Sequence, residues 1–156
     1  MNRRHIALLF ALSLPTIIVA ATHDAQAALG KSAASVASDS KALSAVRRTT
    51  TARNGFTVHV IVSDANTVRE YVSPDGTIFA VAWNGLSHPD LTPLLGSYAD
   101  EYRQALKQTP RKPGRRYLQV KANRVVVEKW GHMRNLQGRA YVPALIPTGV
   151  SVDEIK

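Results

Sequence analysis

The chain contains no cysteine and no long apolar run. Among its 156 residues the absence of Cys excludes a disulfide framework, a thiolate nucleophile, a zinc finger and a lipid-modified cysteine. The composition is otherwise that of a folded protein, with 45% apolar and 20% charged residues. These values argue against a disordered chain, a collagen or a coiled-coil rod. The length fits about one domain.

The first residues have the pattern of a secretory signal peptide. A short basic segment at residues 2–5 precedes an apolar stretch at residues 6–21, which Pro15 interrupts. A membrane-spanning helix needs about 20 apolar residues, and this stretch is shorter. Its length therefore disfavours an uncleaved membrane anchor. Ala25-Gln26-Ala27 is the small-x-small sequence that a signal peptidase reads. We therefore expect cleavage after Ala27 and an exported protein, periplasmic or secreted, with no transmembrane span after cleavage.

The mature chain begins with a segment of low hydrophobicity and continues with strands in which apolar and polar side chains alternate. Residues 28–55 are rich in Ala, Ser and Thr, which predicts an extended or loosely helical arm with a short helix near residues 40–47. From residue 56 apolar and polar side chains alternate. The alternation predicts strands at residues 56–62, 67–72 and 77–83, joined as an antiparallel meander.

One amphipathic helix follows the meander. Asp90 is a suitable N-cap, and Pro93 falls in the first turn, where its missing N–H is harmless. The apolar residues that recur at helical spacing are Leu91, Leu94, Leu95, Tyr98, Ala99, Tyr102, Ala105 and Leu106. Gly96 interrupts this face at a cost of about 1 kcal/mol relative to Ala, which indicates that another group approaches closely there.

The C-terminal part predicts further strands. Residues 117–121 and 124–130 are predicted to form a hairpin, residues 131–138 a loop, and residues 139–145 the last strand. The predicted fold is therefore α+β, with an antiparallel sheet packed on one helix. The predicted units are a signal peptide, an N-terminal arm and a single α+β domain, at residues 1–27, 28–55 and 56–156.

Several short motifs are spread over nearly the whole mature chain. They are Arg69-Glu70-Tyr71-Val72-Ser73-Pro74-Asp75-Gly76, Phe79-Ala80-Val81-Ala82-Trp83, Pro89-Asp90-Leu91, Leu94-Leu95-Gly96, Gly131-His132-Met133-Arg134 and Gly138-Arg139-Ala140-Tyr141-Val142-Pro143. With these motifs the chain resembles a family of exported proteobacterial proteins known as domain of unknown function 2844. The resemblance implies export and a single domain. It transfers no catalytic or binding residue, because none is assigned in that family.

No metal or cofactor site is predicted from the residues. The histidines after residue 27 are His59, His88 and His132, and none lies at a spacing suited to a metal ion. Gly30-Lys31-Ser32 looks like the end of a phosphate-binding loop, but the required earlier glycine is replaced by Ala25.

A catalytic hypothesis centres on one histidine. His132 would act as the general base of a hydrolytic enzyme, oriented by Glu70 or Asp90, with Arg134 stabilising an anion. No nucleophile motif accompanies His132, so no residue is assigned as catalytic.

Charge gives the strongest sequence signal of binding. No acidic residue lies between Glu101 and Glu128, and basic residues are dense at residues 111–116. The candidate binding residues are Arg111, Lys112, Arg115 and Arg116. Such a cluster attracts polyanions, and export favours an anionic envelope component over nucleic acid. The simpler interpretation is a solvated loop that keeps the protein soluble.

These observations predict an exported, non-enzymatic envelope protein that binds or organises a partner, with an anionic ligand as the favoured class. One alternative is the hydrolytic enzyme centred on His132. The other is an accessory structural partner of another exported protein, which would use the arm at residues 28–55 or an exposed strand edge.

Overall fold

A computed structural model describes residues 28–32 and 47–156, and an antiparallel sheet of seven strands dominates them. The strands are β1 Arg47–Arg53, β2 Phe56–Val62, β3 Asn66–Val72, β4 Ile78–Gly85, β5 Tyr117–Lys121, β6 Val126–His132 and β7 Asn135–Tyr141. Their order across the sheet is β1-β2-β3-β4-β7-β6-β5. With the helix on one face, this arrangement confirms the α+β class.

The strand β1 corrects the interpretation of residues 28–55 as an arm. It pairs antiparallel with β2, from Arg47 opposite Val62 to Arg53 opposite Phe56. The meander therefore has one more strand than predicted. Alternation was missing because the side chains of residues 49–53 are exposed on both faces, although Thr favours strands. Most of the helix predicted at residues 40–47, like the signal peptide, lies outside the described residues.

The helix covers one face of the sheet and is interrupted where the sequence predicts a close approach. It consists of α1 Leu91–Leu95, a 3-10 turn Gly96–Tyr98 and α2 Ala99–Gln108. Asp90 accepts a hydrogen bond of 2.9 Å from the Thr92 N–H, which confirms the N-cap. Gly96 has a φ of 52°, and a Cβ there would lie 2.5 Å from the Cβ of Ala28. Leu106, predicted to belong to the packed face, is 37% exposed because it lies beside a cleft at the end of α2.

The two faces of the sheet are covered by different parts of the chain. On the helix face, Trp83 is 2% exposed and donates its Nε1–H to His88 Nδ1 at 3.0 Å. A Cβ on Gly138 would overlap the Trp83 indole, so this strand position needs glycine. On the other face, the segment after β7 brings the fully buried Ile155 against an aromatic cluster. The cluster consists of Phe56, Tyr71 and Phe79.

The hairpin β6–β7 differs from the predicted loop at residues 131–138 and last strand at residues 139–145. Only Met133 and Arg134 separate the two strands, and both have positive φ, 21° and 62°. Positive φ at both turn residues is what a type I′ turn requires, and Asn-Gly signals such a turn whereas Met-Arg does not. After β7, Pro143–Leu145 forms a 3-10 turn, since Pro143 has no N–H for a strand ladder. The hairpin of β5 and β6 is confirmed, with its second strand starting at Val126.

Candidate functional site

A groove of about 710 Å³ runs over the face of the sheet opposite the helix. We call it the sheet groove. Strand pairing places its polar side chains next to one another. Arg69 on β3 lies opposite Ala82 on β4. Asn84 on β4 lies opposite Gln137 on β7, which lies opposite Trp130 on β6.

Arg69 is the half-buried cation of the sheet groove. Its Nη1 donates a hydrogen bond of 2.7 Å to Asn84 Oδ1, which fixes the guanidinium over the sheet. Within residues 28–32 and 47–156, no carboxylate forms an ion pair with it. The exposed Arg53 adds a second positive charge to the same groove. The Arg69 charge is thus held by an amide and is available to a ligand anion.

Trp130 and Gln137 supply an aromatic surface and an amide. The half-buried Trp130 donates its Nε1–H to Gln137 Oε1 at 3.2 Å, and Gln137 Nε2 donates to Asn135 Oδ1 at 3.1 Å. These bonds orient the Trp130 ring in the groove. The Arg139 guanidinium lies 5.9 Å from the centroid of that ring.

Glu128 and Arg139 form a buried ion pair at the edge of the groove. Arg139 Nε lies 2.5 Å from Glu128 Oε2, and the two side chains are 18% and 5% exposed. The other carboxylate oxygen accepts hydrogen bonds from Tyr117 Oη at 2.9 Å and Gln119 Nε2 at 2.6 Å. Burial raises the pKa of Glu128, but the hydrogen bonds from Arg139, Tyr117 and Gln119 outweigh it and leave the pKa below its usual value. Glu128 is therefore ionised, and its charge is matched by Arg139.

The segment after β7 forms the second wall of the groove. Arg139 Nη1 donates to the carbonyls of Val152 at 2.7 Å and Ile155 at 3.3 Å. A capping box formed by Ser151 and Glu154 fixes the 3-10 turn Val152–Glu154. Asp153, Glu154 and Lys156 line the groove from this segment, so two carboxylates and a further cation join the arginines of the strands.

The basic residues predicted as a binding site lie together in the loop between α2 and β5. Arg111, Lys112 and Arg116 are exposed, whereas Arg115 is half-buried and donates to the carbonyl of Pro110. Arg111 and Arg115 line a cleft of about 610 Å³ beside the end of α2. Within the structurally described residues, none of the four forms an ion pair with a carboxylate. They form a basic loop apart from the sheet groove, which they do not line.

The residues of the His132 hypothesis are not brought together. His132 is exposed at the end of β6, next to Arg134 in the turn. Glu70 is fully buried on β3. Strand pairing through β4 and β7 aligns it with Val127 on β6, which lies five residues before His132. At about 3.4 Å per residue that separation is about 17 Å. Asp90 caps α1 instead.

The described residues were compared with the requirements of a metal site and of a membrane-spanning helix. The residues that the structure describes contain no group of three or more His, Cys, Asp or Glu placed to hold a metal ion. In the same residues, no helix combines the length and hydropathy needed to cross a membrane.

The fold and the groove define an α+β protein with a helix on one face of its sheet and a polar groove on the other. A family described as protein of unknown function, DUF2844, matches residues 25–155. The chain belongs to this family, as the sequence motifs indicated. No curated protein and no solved structure matches the chain.

Proposed function

We propose that the protein is exported and binds an acidic carbohydrate of the cell envelope in the sheet groove, without catalysing a reaction on it. One observation carries the proposal: Arg69 is half-buried in the groove, is oriented by Asn84, and has no ion-pairing carboxylate in the described part of the chain. A half-buried guanidinium with free donors is well suited to a ligand carboxylate, which it binds through two parallel hydrogen bonds. Export rests on the signal-peptide pattern that ends at Ala27.

The rest of the groove favours a sugar acid over a simple anion. Gln137 offers an amide, and Trp130 offers an aromatic surface, beside the arginine. From the segment after β7, Asp153 and Glu154 provide acceptors for ligand hydroxyl groups. The volume of about 710 Å³ lies within the range of about 300–1,000 Å³ that is usual for ligand sites.

Isothermal titration calorimetry of the mature protein with trigalacturonate tests this proposal, with neutral maltotriose as the control ligand. We expect binding of trigalacturonate only. Arg69→Gln should raise the Kd by about tenfold or more, because a hydrogen bond to a charged group contributes about 1.5–3 kcal/mol. The matched control is Arg116→Gln, which removes an exposed arginine outside the groove and should leave the Kd unchanged. Equal Kd values for the Arg69→Gln variant and the unmodified protein would contradict the proposal.

The basic loop is a second candidate for the same ligand class, because three of its four basic side chains are exposed. Replacing Arg111, Lys112, Arg115 and Arg116 together by Ser should weaken retention on heparin at low salt if this loop binds polyanions. The fold should persist, since exposed charges contribute little to stability. If this variant loses trigalacturonate binding while Arg69→Gln keeps it, the loop and not the groove is the site.

Association with another exported protein remains the alternative prediction. The strands β1 and β5 lie at the two edges of the sheet, where a partner strand could add.

A further inference from the structure

A smaller pocket lies on the opposite face of the sheet from the groove, between the helix and β6. Its volume is about 240 Å³. Leu91, Leu95 and Ala99 give it an apolar wall on the helix side. Tyr102 from α2 and Lys129 from β6 also line it.

Tyr102 has a buried hydroxyl group that nothing satisfies in the part of the chain that the structure describes. The residue is 6% exposed, and its Oη has no hydrogen-bond partner. A buried hydroxyl without a partner destabilises the folded state, so such groups in native proteins call for an explanation. A ligand acceptor in the adjoining pocket provides one.

Lys129 places a cation in the same pocket. Its Nζ lies 5.7 Å from the centroid of the Tyr102 ring, and burial lowers the pKa of the ammonium group. Among the described residues, no carboxylate forms an ion pair with it. Asp90 lines the pocket too, but its carboxylate accepts the Thr92 N–H at the start of α1.

Arg103, the other cation of the lining, is already occupied. Its Nη1 pairs with Asp100, and its Nη2 donates to Thr92 Oγ1 at 3.2 Å. The buried or half-buried donors left without a hydrogen-bond partner in this lining are therefore the Lys129 ammonium and the Tyr102 hydroxyl, which lie beside the apolar residues. An anionic acceptor attached to a small apolar body matches this combination.

We propose that this pocket binds a small monocarboxylate with an apolar body of about the size of a benzene ring. The carboxylate accepts hydrogen bonds from Lys129 Nζ and Tyr102 Oη, and the apolar body lies against Leu91, Leu95 and Ala99. Cavities of about 150 Å³ hold benzene, so the pocket has room for a ring and a carboxylate. The site is separate from the sheet groove and independent of its ligand.

Benzoate is the probe, and saturation-transfer NMR with a titration of the mature protein measures its binding. Benzyl alcohol, which has the ring but no negative charge, is the control ligand. We expect benzoate to bind and benzyl alcohol to bind at least about tenfold more weakly. Equal binding of the two, or no binding of benzoate, would overturn the proposal.

Variants of the two donors distinguish this site from a surface contact. Tyr102→Phe removes only the unpartnered hydroxyl, so it should leave the urea midpoint unchanged or raised while weakening benzoate binding by about fivefold or more. Lys129→Met should weaken it similarly. Lys121→Met, which changes an exposed lysine on β5, should bind benzoate like the unmodified protein. Unchanged affinity in either the Tyr102 or the Lys129 variant would show that the carboxylate is not held as proposed.

Discussion

Arg139→Met should be among the most destabilising single substitutions in the chain. It removes the guanidinium that lies 2.5 Å from the Glu128 carboxylate, which is only 5% exposed. Removing one partner of a buried ion pair lowers the free energy of unfolding by about 3–5 kcal/mol, because the remaining charge stays buried without its counter-ion. The substitution also removes the hydrogen bonds to the carbonyls of Val152 and Ile155. We therefore expect the free energy of unfolding to fall by about 3–5 kcal/mol.

The pH dependence gives a second, independent signature of this pair. The pKa of Glu128 lies below its usual value of 4.5 in the folded protein. The contribution of the pair is therefore fully present above the unfolded pKa and is lost as the pH falls through the folded pKa. The difference in stability between Arg139→Met and the unmodified protein should be largest at neutral pH and should shrink on acidification.

Urea denaturation at neutral and at acidic pH measures both effects. Two further variants serve as controls for the cost of Arg139→Met. Adding Glu128→Gln to Arg139→Met should recover part of the loss, since it removes the unpaired charge. Arg103→Met, which breaks the exposed pair with Asp100, should cost no more than about 1 kcal/mol. A cost for Arg139→Met as small as that of Arg103→Met would refute the reasoning.

Three further predictions concern the core and the start of the mature chain. Leu95→Ala removes a fully buried side chain and should cost about 2–5 kcal/mol in urea denaturation; a neutral result would mean that the helix does not pack on the sheet. Gly96→Ala should destabilise more than Gly114→Ala, because both positions have positive φ but only at Gly96 does the new Cβ collide with Ala28. The exported protein should begin at Ala28, which N-terminal sequencing or intact mass decides; a membrane-bound species that retains Met1 would contradict export.

Local chemistry explains why some elements were predictable from the sequence. Asp90 caps α1 because its carboxylate can reach the N–H of Thr92 two residues later, a strictly local interaction. Between the predicted strands at residues 67–72 and 77–83, Pro74 and Gly76 stand at positions that favour a type I turn, and the Gly76 N–H donates to the Ser73 carbonyl at 2.9 Å. Such features depend on a few neighbouring residues, and the sequence displays them directly.

The elements that were missed depend on tertiary context. The strand β1 is polar on both faces and is stabilised by its pairing with β2, so it carries no alternation of its own. The turn at Met133 and Arg134 has positive φ without a glycine or asparagine to signal it. In both cases the neighbouring strand imposes the conformation.

The candidate site was missed for a topological reason. Arg69, Asn84, Trp130 and Gln137 lie on four different strands, and Asn84 and Gln137 fall outside the strands that alternation predicted. Pairing of β4 with β7, rather than with a sequence neighbour, brings them into one groove. Charge density along the chain pointed instead to the loop at residues 111–116, because a run in sequence is visible without the fold. The signal available was the period-two placement of polar and aromatic residues on β3, β6 and β7.

A nitrogen–proton NMR titration of the mature protein with trigalacturonate tests the central claim most directly. The chain has two tryptophans, and their indole N–H groups report on opposite faces of the sheet. Both residues border the groove, but the Trp83 side chain is 2% exposed in the core on the helix face, and its indole N–H is bonded to His88 Nδ1. We predict that the Trp130 indole and the amides around Arg69 shift with a common Kd, while the Trp83 indole and the amides of residues 111–116 stay in place. Shifts confined to residues 111–116, or no shift at Trp130, would contradict ligand binding in the groove.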